Sequence, residues 1–189
     1  MTLPDVVEPR MRRDAARNRD RVLVAGRAAL DAGESLQLNE IARSAGVGVG
    51  TVYRHFPTTA DLLEALVTDK LESLVAEAQD ATSLDDPWDA LESFLARSVS
   101  LQSADVAFAT VMAADNDALP ITTQLKASLN RVFERLIEKA RDAGRVRPEF
   151  RANDLRVMLC GVAYANRLSG NQPGTNRRYL DAFLRGIQA

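Results

Sequence analysis

The sequence predicts an all-α protein, and three observations carry that prediction. Alanine and leucine together number 52 of the 189 residues, whereas valine and isoleucine number 20. Unbranched side chains keep rotamer freedom in a helix that β-branched ones lose. Apolar residues also recur at three- and four-residue steps, as in Leu62, Leu63, Leu66, Leu71, Leu74 and Val75, or Ile121, Leu125, Leu129, Val132, Phe133, Leu136, Ile137 and Ala140. Sustained two-residue alternation bounded by turn residues, the mark of a half-buried strand, is missing.

Punctuation by Gly, Pro, Asn and Asp divides the chain into about nine helices. The first, near 14–32, stops at Gly33. Two short ones follow near 38–44 and 49–55, separated by Gly46 and Gly48. The leucine steps define a longer helix near 59–80. Asp85 and Asp86 then stand before Pro87, a capping anion followed by a proline whose missing N–H costs nothing in a first turn, and open a helix near 87–102. Further helices fall near 104–115, 119–143 (opened by Pro120, closed by Gly144), 152–169 (opened by Asn153 and Asp154, closed by Gly170) and 174–187.

Length and composition exclude several classes of function. At roughly 150 residues per domain, 189 residues make one domain, or a small one joined to a larger one. With 46% hydrophobic and 26% charged residues the chain reads as an ordinary globular protein. No stretch approaches the ~20 apolar residues of a bilayer span, so no membrane is expected. The first residues, with Asp5, Glu8 and no apolar run, do not read as a secretory signal. Cys160 is the sole cysteine, cannot form an internal disulfide, and fits a reducing compartment, so a cytoplasmic location is expected. With one histidine, His55, zinc sites built from several Cys and His ligands are excluded, and any histidine-dependent triad would have to use that residue. No cofactor is expected.

The informative segment runs from Leu38 to Phe56, LNEIARSAGVGVGTVYRHF. Leu38, Ile41, Ala42 and Ala45 make one short apolar face, Gly46 permits a sharp turn, and Val47, Val52 and Phe56 continue the apolar contacts. Two short helices joined by a glycine turn and backed by a longer one describe a helix-turn-helix. In that motif the second helix lies in the DNA major groove. Its outward residues would be Val49, Gly50, Thr51, Tyr53, Arg54 and His55. Thr51 and Tyr53 can donate to phosphate oxygens, and Arg54 can do so or reach guanine as a bidentate donor. Gly50 lets the backbone come close, and Val49 can press on a thymine methyl. The pattern alone also fits a short solvated helix whose Tyr and Phe are ordinary core. A dinucleotide fingerprint in GVGVG fails on both spacing and context, because G-x-G-x-x-G must follow a strand.

Charge distribution adds to the DNA reading. The whole chain carries a formal net charge of −2. Residues 10–60, however, hold nine arginines and five acids, a surplus of four positive charges, whereas residues 61–189 have four more acids than bases. Six of those arginines fall in an arm at 10–21, among them Arg12, Arg13 and Arg19. Such an arm can neutralise phosphates or enter a minor groove, with strong salt dependence. Taken singly, each arginine also fits a solvated helix start.

At this point the segment Arg19 to Leu66 resembles the TetR family of bacterial transcriptional regulators. The resemblance is carried by Arg21, Val22, Leu23, Ala25 and Gly33, and then by IARSAGVGVGTVYRHFPTTADLLEAL from Ile41 to Leu66, whose pattern IAxxAGVxxGTxYxHF is specific. It covers the first 70 residues closely and the rest more weakly, although GRVRPEFRANDL from Gly144 to Leu155 looks like the loop and penultimate-helix start of many members. The resemblance implies an N-terminal three-helix DNA-binding head over residues 1–60 and a C-terminal helical ligand-binding and dimerisation domain over 61–189. It implies a homodimer on double-stranded operator DNA, most simply a repressor released by a small-molecule effector. An activator of the same family is the alternative. A helical-bundle enzyme is a further one, but no acid–base or metal set stands at diagnostic spacing, so enzymatic activity is not expected. Gly50, Thr51, Tyr53 and His55 match the family's DNA contacts, and Arg54 sits where specificity varies. Gln37, Gly48 and Thr59 depart from the pattern, replacing two hydroxyl caps and a lysine, so the arginine arm should supply more of the affinity.

For the C-terminal domain, Trp88, Phe94, Phe108, Met112, Leu125, Phe133, Met158 and Tyr164 are candidates to line an effector cavity, with Asn166, Thr110 and Gln124 as polar groups. Each aromatic or sulfur side chain fits plain core equally. The last two helices should form a four-helix bundle across a two-fold axis. Gly161, Ala163 and Ala165 keep the penultimate helix slim, and Tyr179, Ala182, Phe183 and Ile187 give the last an apolar stripe that could instead pack within its own subunit. Cys160 reads as a small hydrophobe, with redox sensing disfavoured for want of a resolving partner.

Overall fold

The computed structural model describes residues 7–170, 172 and 174–189, with side chains described from Arg13 onward. The described residues form helices α1 (Val7–Asp31), α2 (Leu38–Ala45), α3 (Val49–His55), α4 (Thr59–Ala81), α5 (Pro87–Ala104), α6 (Val106–Ala113), α7 (Pro120–Asp142), α8 (Ala152–Leu168) and α9 (Thr175–Ile187), with one isolated antiparallel bridge between Val146 and Gln188. No helix among them is long and apolar enough to cross a membrane. The chain divides into an N-terminal unit, Met1–Leu66, and a C-terminal unit, Val67–Ala189. The division falls six residues beyond position 60 because Leu62, Leu63, Ala65 and Leu66 belong to the core of the first unit.

That core is built from Val22 and Ala29 of α1, Leu36 in the connection, Leu38, Ile41, Ala42 and Ala45 of α2, Val52 of α3, Phe56 and Leu62. All four apolar positions of α2 are therefore buried on one face, whereas α3 buries only Val52. Gly46 ends α2 at φ +61°, and the N–H of Val47 reaches back to Ala42 O at 3.0 Å, closing a Schellman turn. Its left-handed backbone is strained for any L side chain, and a Cβ there would also stand 2.6 Å from the tip of the Arg21 guanidinium, which would have to shift.

In the C-terminal unit α5 is central, packing on α6, α7, α8 and α9. Trp88, Leu91, Phe94, Leu95 and Val99 bury one face of it. As its sequence suggested, α5 starts with Pro87 in the first turn and Asp86 as cap, whose Oδ1 accepts from the N–H groups of Trp88 at 2.7 Å and Asp89 at 3.1 Å. These bonds hold the Asp86 carboxyl below its usual range.

Most helix ends fall within two residues of the sequence reading, and α1 and α6 differ most. The first helix begins at Val7 instead of residue 14, so the arm is helical backbone. Pro9 is its third residue, where no N–H is needed within the helix, and good helix formers follow. The sixth helix occupies Val106–Ala113 and is shorter than 104–115. Its start is set by Asp105, a buried residue that accepts from Phe108 N–H at 3.1 Å and pairs with Lys70, forming a corner that ends α5 and starts α6.

Candidate nucleic-acid interface

The exposed side of α3 is a product of its neighbours. Arg21 Nη2 donates to Gly46 O at 3.0 Å, which ties the middle of α1 to the turn entering α3. Thr51 and Val52 N–H groups bond Gly48 O at 2.8 and 3.2 Å, and Phe56 N–H closes the far end on Val52 O at 2.8 Å. With Val52 and Phe56 pinned inward, Val49 and Tyr53, one helical turn apart, point outward and stand 46% and 44% exposed. Gly50 and Arg54 are exposed beside them, and Thr51 and His55 are half-buried.

A Cβ added at Gly50 would meet nothing within 4 Å. Nothing inside the protein therefore requires glycine there, although glycine in a helix costs roughly 0.5–1 kcal/mol relative to alanine. Around this face, Arg19 lays its guanidinium over the Phe56 ring, 5.6 Å from the centroid, so one cation of the basic segment sits at the end of α3. Arg13 is exposed further up α1. The Arg12 side chain lies outside the described residues.

The departures at Gln37, Gly48 and Thr59 can be read in the geometry. Gln37 and Gly48 occupy the N-cap positions of α2 and α3, and neither provides a side-chain cap bond. Thr59 turns its hydroxyl to Leu36 O at 3.4 Å. The sequence reading missed Thr58 and Asp61, which bond reciprocally across the start of α4, with Thr58 N–H on Asp61 Oδ2 at 2.8 Å and Asp61 N–H on Thr58 Oγ at 3.2 Å. Their T-x-x-D spacing was the available signal. It also missed Arg27, whose Nη2 donates to Leu66 O at 2.8 Å.

The C-terminal candidates are not gathered around one void. Trp88, Phe94, Phe108 and Phe133 are buried, and the Phe94 and Phe133 rings meet at a tilt of 43° with 5.2 Å between centroids. Phe94 also lines a groove of about 300 Å³ between α4 and α5, next to the Glu77–Arg97 ion pair. Met112 lines a separate, more polar cleft of about 370 Å³. Leu125 is half-buried, while Met158 and Tyr164 are exposed on α8. Asn166 is wholly buried, its Nδ2 on Ser103 Oγ at 3.3 Å and its Oδ1 without a hydrogen-bond partner. Thr110 donates to its own helix at Val106 O, and Gln124 is exposed.

Of the residues expected at a dimer interface, Gly161 is exposed and Ala165 and Tyr179 are half-buried, whereas Phe183 and Ile187 pack inside the C-terminal unit. Cys160 is half-buried, and burial pushes its thiol above the usual range despite the opposing pull of Arg156, Arg167 and Lys126. A thiol so disposed is a poor nucleophile at neutral pH.

Comparison with known proteins gives this geometry its relatives. Residues 32–66 match the family described as bacterial regulatory proteins, tetR family, and residues 86–189 match the transcriptional regulator SbtR-like C-terminal domain. The HTH-type transcriptional regulator SAR0097 of Staphylococcus aureus is 30% identical over 100 residues, covering 50% of this chain and 52% of its own, so the chain spans about half the length of that curated relative. The solved TetR transcriptional regulator SCO0520 of Streptomyces coelicolor is 30% identical with a TM-score of 0.53, over 90% of this chain and 98% of its own. FadR from Bacillus subtilis, solved in complex with stearoyl-CoA, shares the fold with a TM-score of 0.63 at 17% identity, over 88% of this chain and 98% of its own. These are families of transcriptional regulators, which sets the enzyme reading aside. With residues 32–66 and 86–189, more than half of its length, matched in this way, the chain belongs to the TetR family of bacterial transcriptional regulators.

Proposed function

We propose that the chain is a dimeric, sequence-specific DNA-binding repressor that a small-molecule effector releases from its operator. The observation that carries the DNA reading is the outward face of α3. Val49 and Tyr53 stand exposed there beside Arg54, and Gly50 has no internal reason to be glycine. In this reading Tyr53 and Thr51 donate to phosphates, Arg54 and Val49 meet base edges, and Gly50 admits the DNA backbone. Arg12, Arg13 and Arg19 add phosphate neutralisation, so affinity falls steeply with salt.

Dimerisation is assigned to α8. Val157, Tyr164 and Leu168 are 54%, 56% and 72% exposed, and with Gly161 they follow four-, three- and four-residue steps along one face. An apolar stripe of this kind, slim at its centre, suits a two-fold helix pair. Two heads would then read half-sites about one helical turn apart, ~34–36 Å, or a multiple of that.

Release follows from linkage. An effector that binds the C-terminal unit better in a conformation with wrongly spaced heads lowers operator affinity by its differential binding energy. Helix α4 is the natural lever, because its residues Thr59–Ala81 run through the division after Leu66 without a break. FadR, of the same fold, holds stearoyl-CoA, which supports a small-molecule role for the unit. The test is operator binding by Tyr53→Phe and Arg54→Ala in an electrophoretic mobility assay, on a duplex selected from a random pool. Each change should weaken specific binding by roughly tenfold, the lower part of the ~1–3 kcal/mol carried by a good base or phosphate contact. Full specific affinity in both variants would remove α3 from the interface.

A further inference from the structure

The C-terminal unit holds a cleft of about 370 Å³ where the segment after α6, the first half of α7 and the first turns of α8 meet. Its walls include Met112, Thr123, Lys126, Asn130, Asn153 and Arg156. That volume lies in the lower part of the ~300–1,000 Å³ typical of small-molecule sites. The charges on its walls are not equivalent. Asp117 and Lys126 are 11% and 15% exposed, and Lys126 Nζ stands 2.5 Å from the carboxylate and 3.2 Å from Ala114 O. This pair neutralises itself and fixes the wall.

Arg156 is held differently. Its Nε and Nη2 donate to Asn153 Oδ1 at 3.4 and 3.1 Å, and that oxygen belongs to a neutral amide. Among the described residues no carboxylate lies within ion-pair distance of it, so its charge is oriented but not cancelled. One edge of the guanidinium fork rests on Asn153, and Nη1 has no hydrogen-bond or ion-pair partner among the described residues. A guanidinium edge matches a carboxylate with two parallel bonds. The Asn130 amide and Thr123 hydroxyl add neutral donors. Asp115 on the same wall disfavours a dianion, so a single negative charge suits the cleft better than a phosphate does. Met112 and Ala127 provide apolar surface for a carbon body.

We propose that this cleft takes a small monocarboxylate, with its carboxylate on the free edge of Arg156 and its carbon body against Met112 and Ala127. The proposal rests on the reading of the C-terminal unit as effector-binding and names the effector's chemical class. Because α8 carries both Arg156 and the exposed Val157, Tyr164 and Leu168, a ligand held here bears directly on the helix assigned to dimerisation.

Isothermal titration calorimetry on the full chain without DNA tests it, using hexanoate and benzoate as probes and hexanamide and inorganic phosphate as contrasts. At least one carboxylate should bind, with hexanamide and phosphate tenfold weaker or worse. Arg156→Gln should weaken carboxylate binding at least tenfold while the ligand-free melting temperature stays put. Ala127→Leu, which fills the wall and leaves every charge in place, should do the same, and it carries the test if Arg156→Gln folds poorly. The proposal is overturned if neither carboxylate binds, if the amide or phosphate binds as well as the acids, or if both variants keep wild-type affinity. Carboxylate binding that left operator affinity unchanged would uphold the site and overturn only the release reading.

Discussion

Gly50 separates the needs of the fold from those of the function. A methyl group at this position would touch nothing within the chain, so the folded state gives no reason to avoid alanine. Alanine is also the better helix former. Gly50→Ala is therefore expected to raise stability by about 0.5 kcal/mol, read as a small rise in melting temperature, and at the same time to weaken operator binding severalfold, read by fluorescence anisotropy. The two readouts moving in opposite directions is the signature of an external partner. Gly46 makes the opposite case, since φ +61° is strained for any side chain and a Cβ would displace the Arg21 guanidinium that bonds this turn, so its substitution would damage fold and binding together. The α3 residues were legible in the sequence because the motif is local: the buried Val52 and Phe56 fix which neighbours face out. The lining of a cleft was not, because an aromatic or thioether side chain looks the same whether it fills core, as Phe108 does, or lines a cleft, as Met112 does. Arg156 and the Asp117–Lys126 pair were invisible for another reason, since their meeting depends on how α6, α7 and α8 pack.

Among the elements, helix ends followed local chemistry where the sequence carried it. Asp86–Pro87 and the T-x-x-D of Thr58 to Asp61 are caps that can be read directly from residue order. The corner at Asp105 could not be read in this way, because its carboxylate is engaged by Lys70, 35 positions earlier. The contact between α4 and α5 provides a test at this scale. Arg97 donates to Glu77 through Nε at 2.5 Å and Nη2 at 3.0 Å, and this bidentate contact holds the Glu77 carboxyl below its ordinary value of 4.5 and raises the Arg97 guanidinium. A carboxyl lowered on folding contributes stability above its unfolded value, and that contribution is lost as pH falls through the lower folded value. Both side chains are about two-fifths exposed, so solvent screening limits the contribution to under about 1 kcal/mol. Arg97→Ala is expected to lower the melting temperature at pH 7, and the gap from wild type should close as pH falls below 4.5. A gap that is the same at pH 3 and pH 7 would mean the lost term is packing instead of charge.

At the scale of the whole molecule, the formal charge of −2 conceals a basic head and an acidic remainder, and the basic part favours association with a polyanion such as DNA. The all-helical class and the order of helices were legible because composition, periodicity and punctuation agree with one another. Which of the last two helices presents apolar surface was not, because both carry a stripe. Packing resolved it, burying Phe183 and Ile187 of α9 while leaving Val157, Tyr164 and Leu168 of α8 exposed. The proposed pairing through α8 predicts that Leu168→Glu converts dimer to monomer in light scattering coupled to size exclusion, with helicity kept, whereas a dimer unaffected by this change would place the interface elsewhere. Loss of the dimer should also lower operator affinity, because half-site binding then loses its tethered second head.

The most direct measurement is the affinity of the wild-type chain for a duplex selected from random sequence, set against a scrambled duplex of equal length and composition, over a range of salt concentration. The account predicts that selection enriches an inverted repeat, that the enriched duplex binds on the order of 10³-fold tighter than the scrambled one, and that both affinities fall steeply with salt. Failure to enrich any sequence, or equal affinity for the two duplexes, would contradict it.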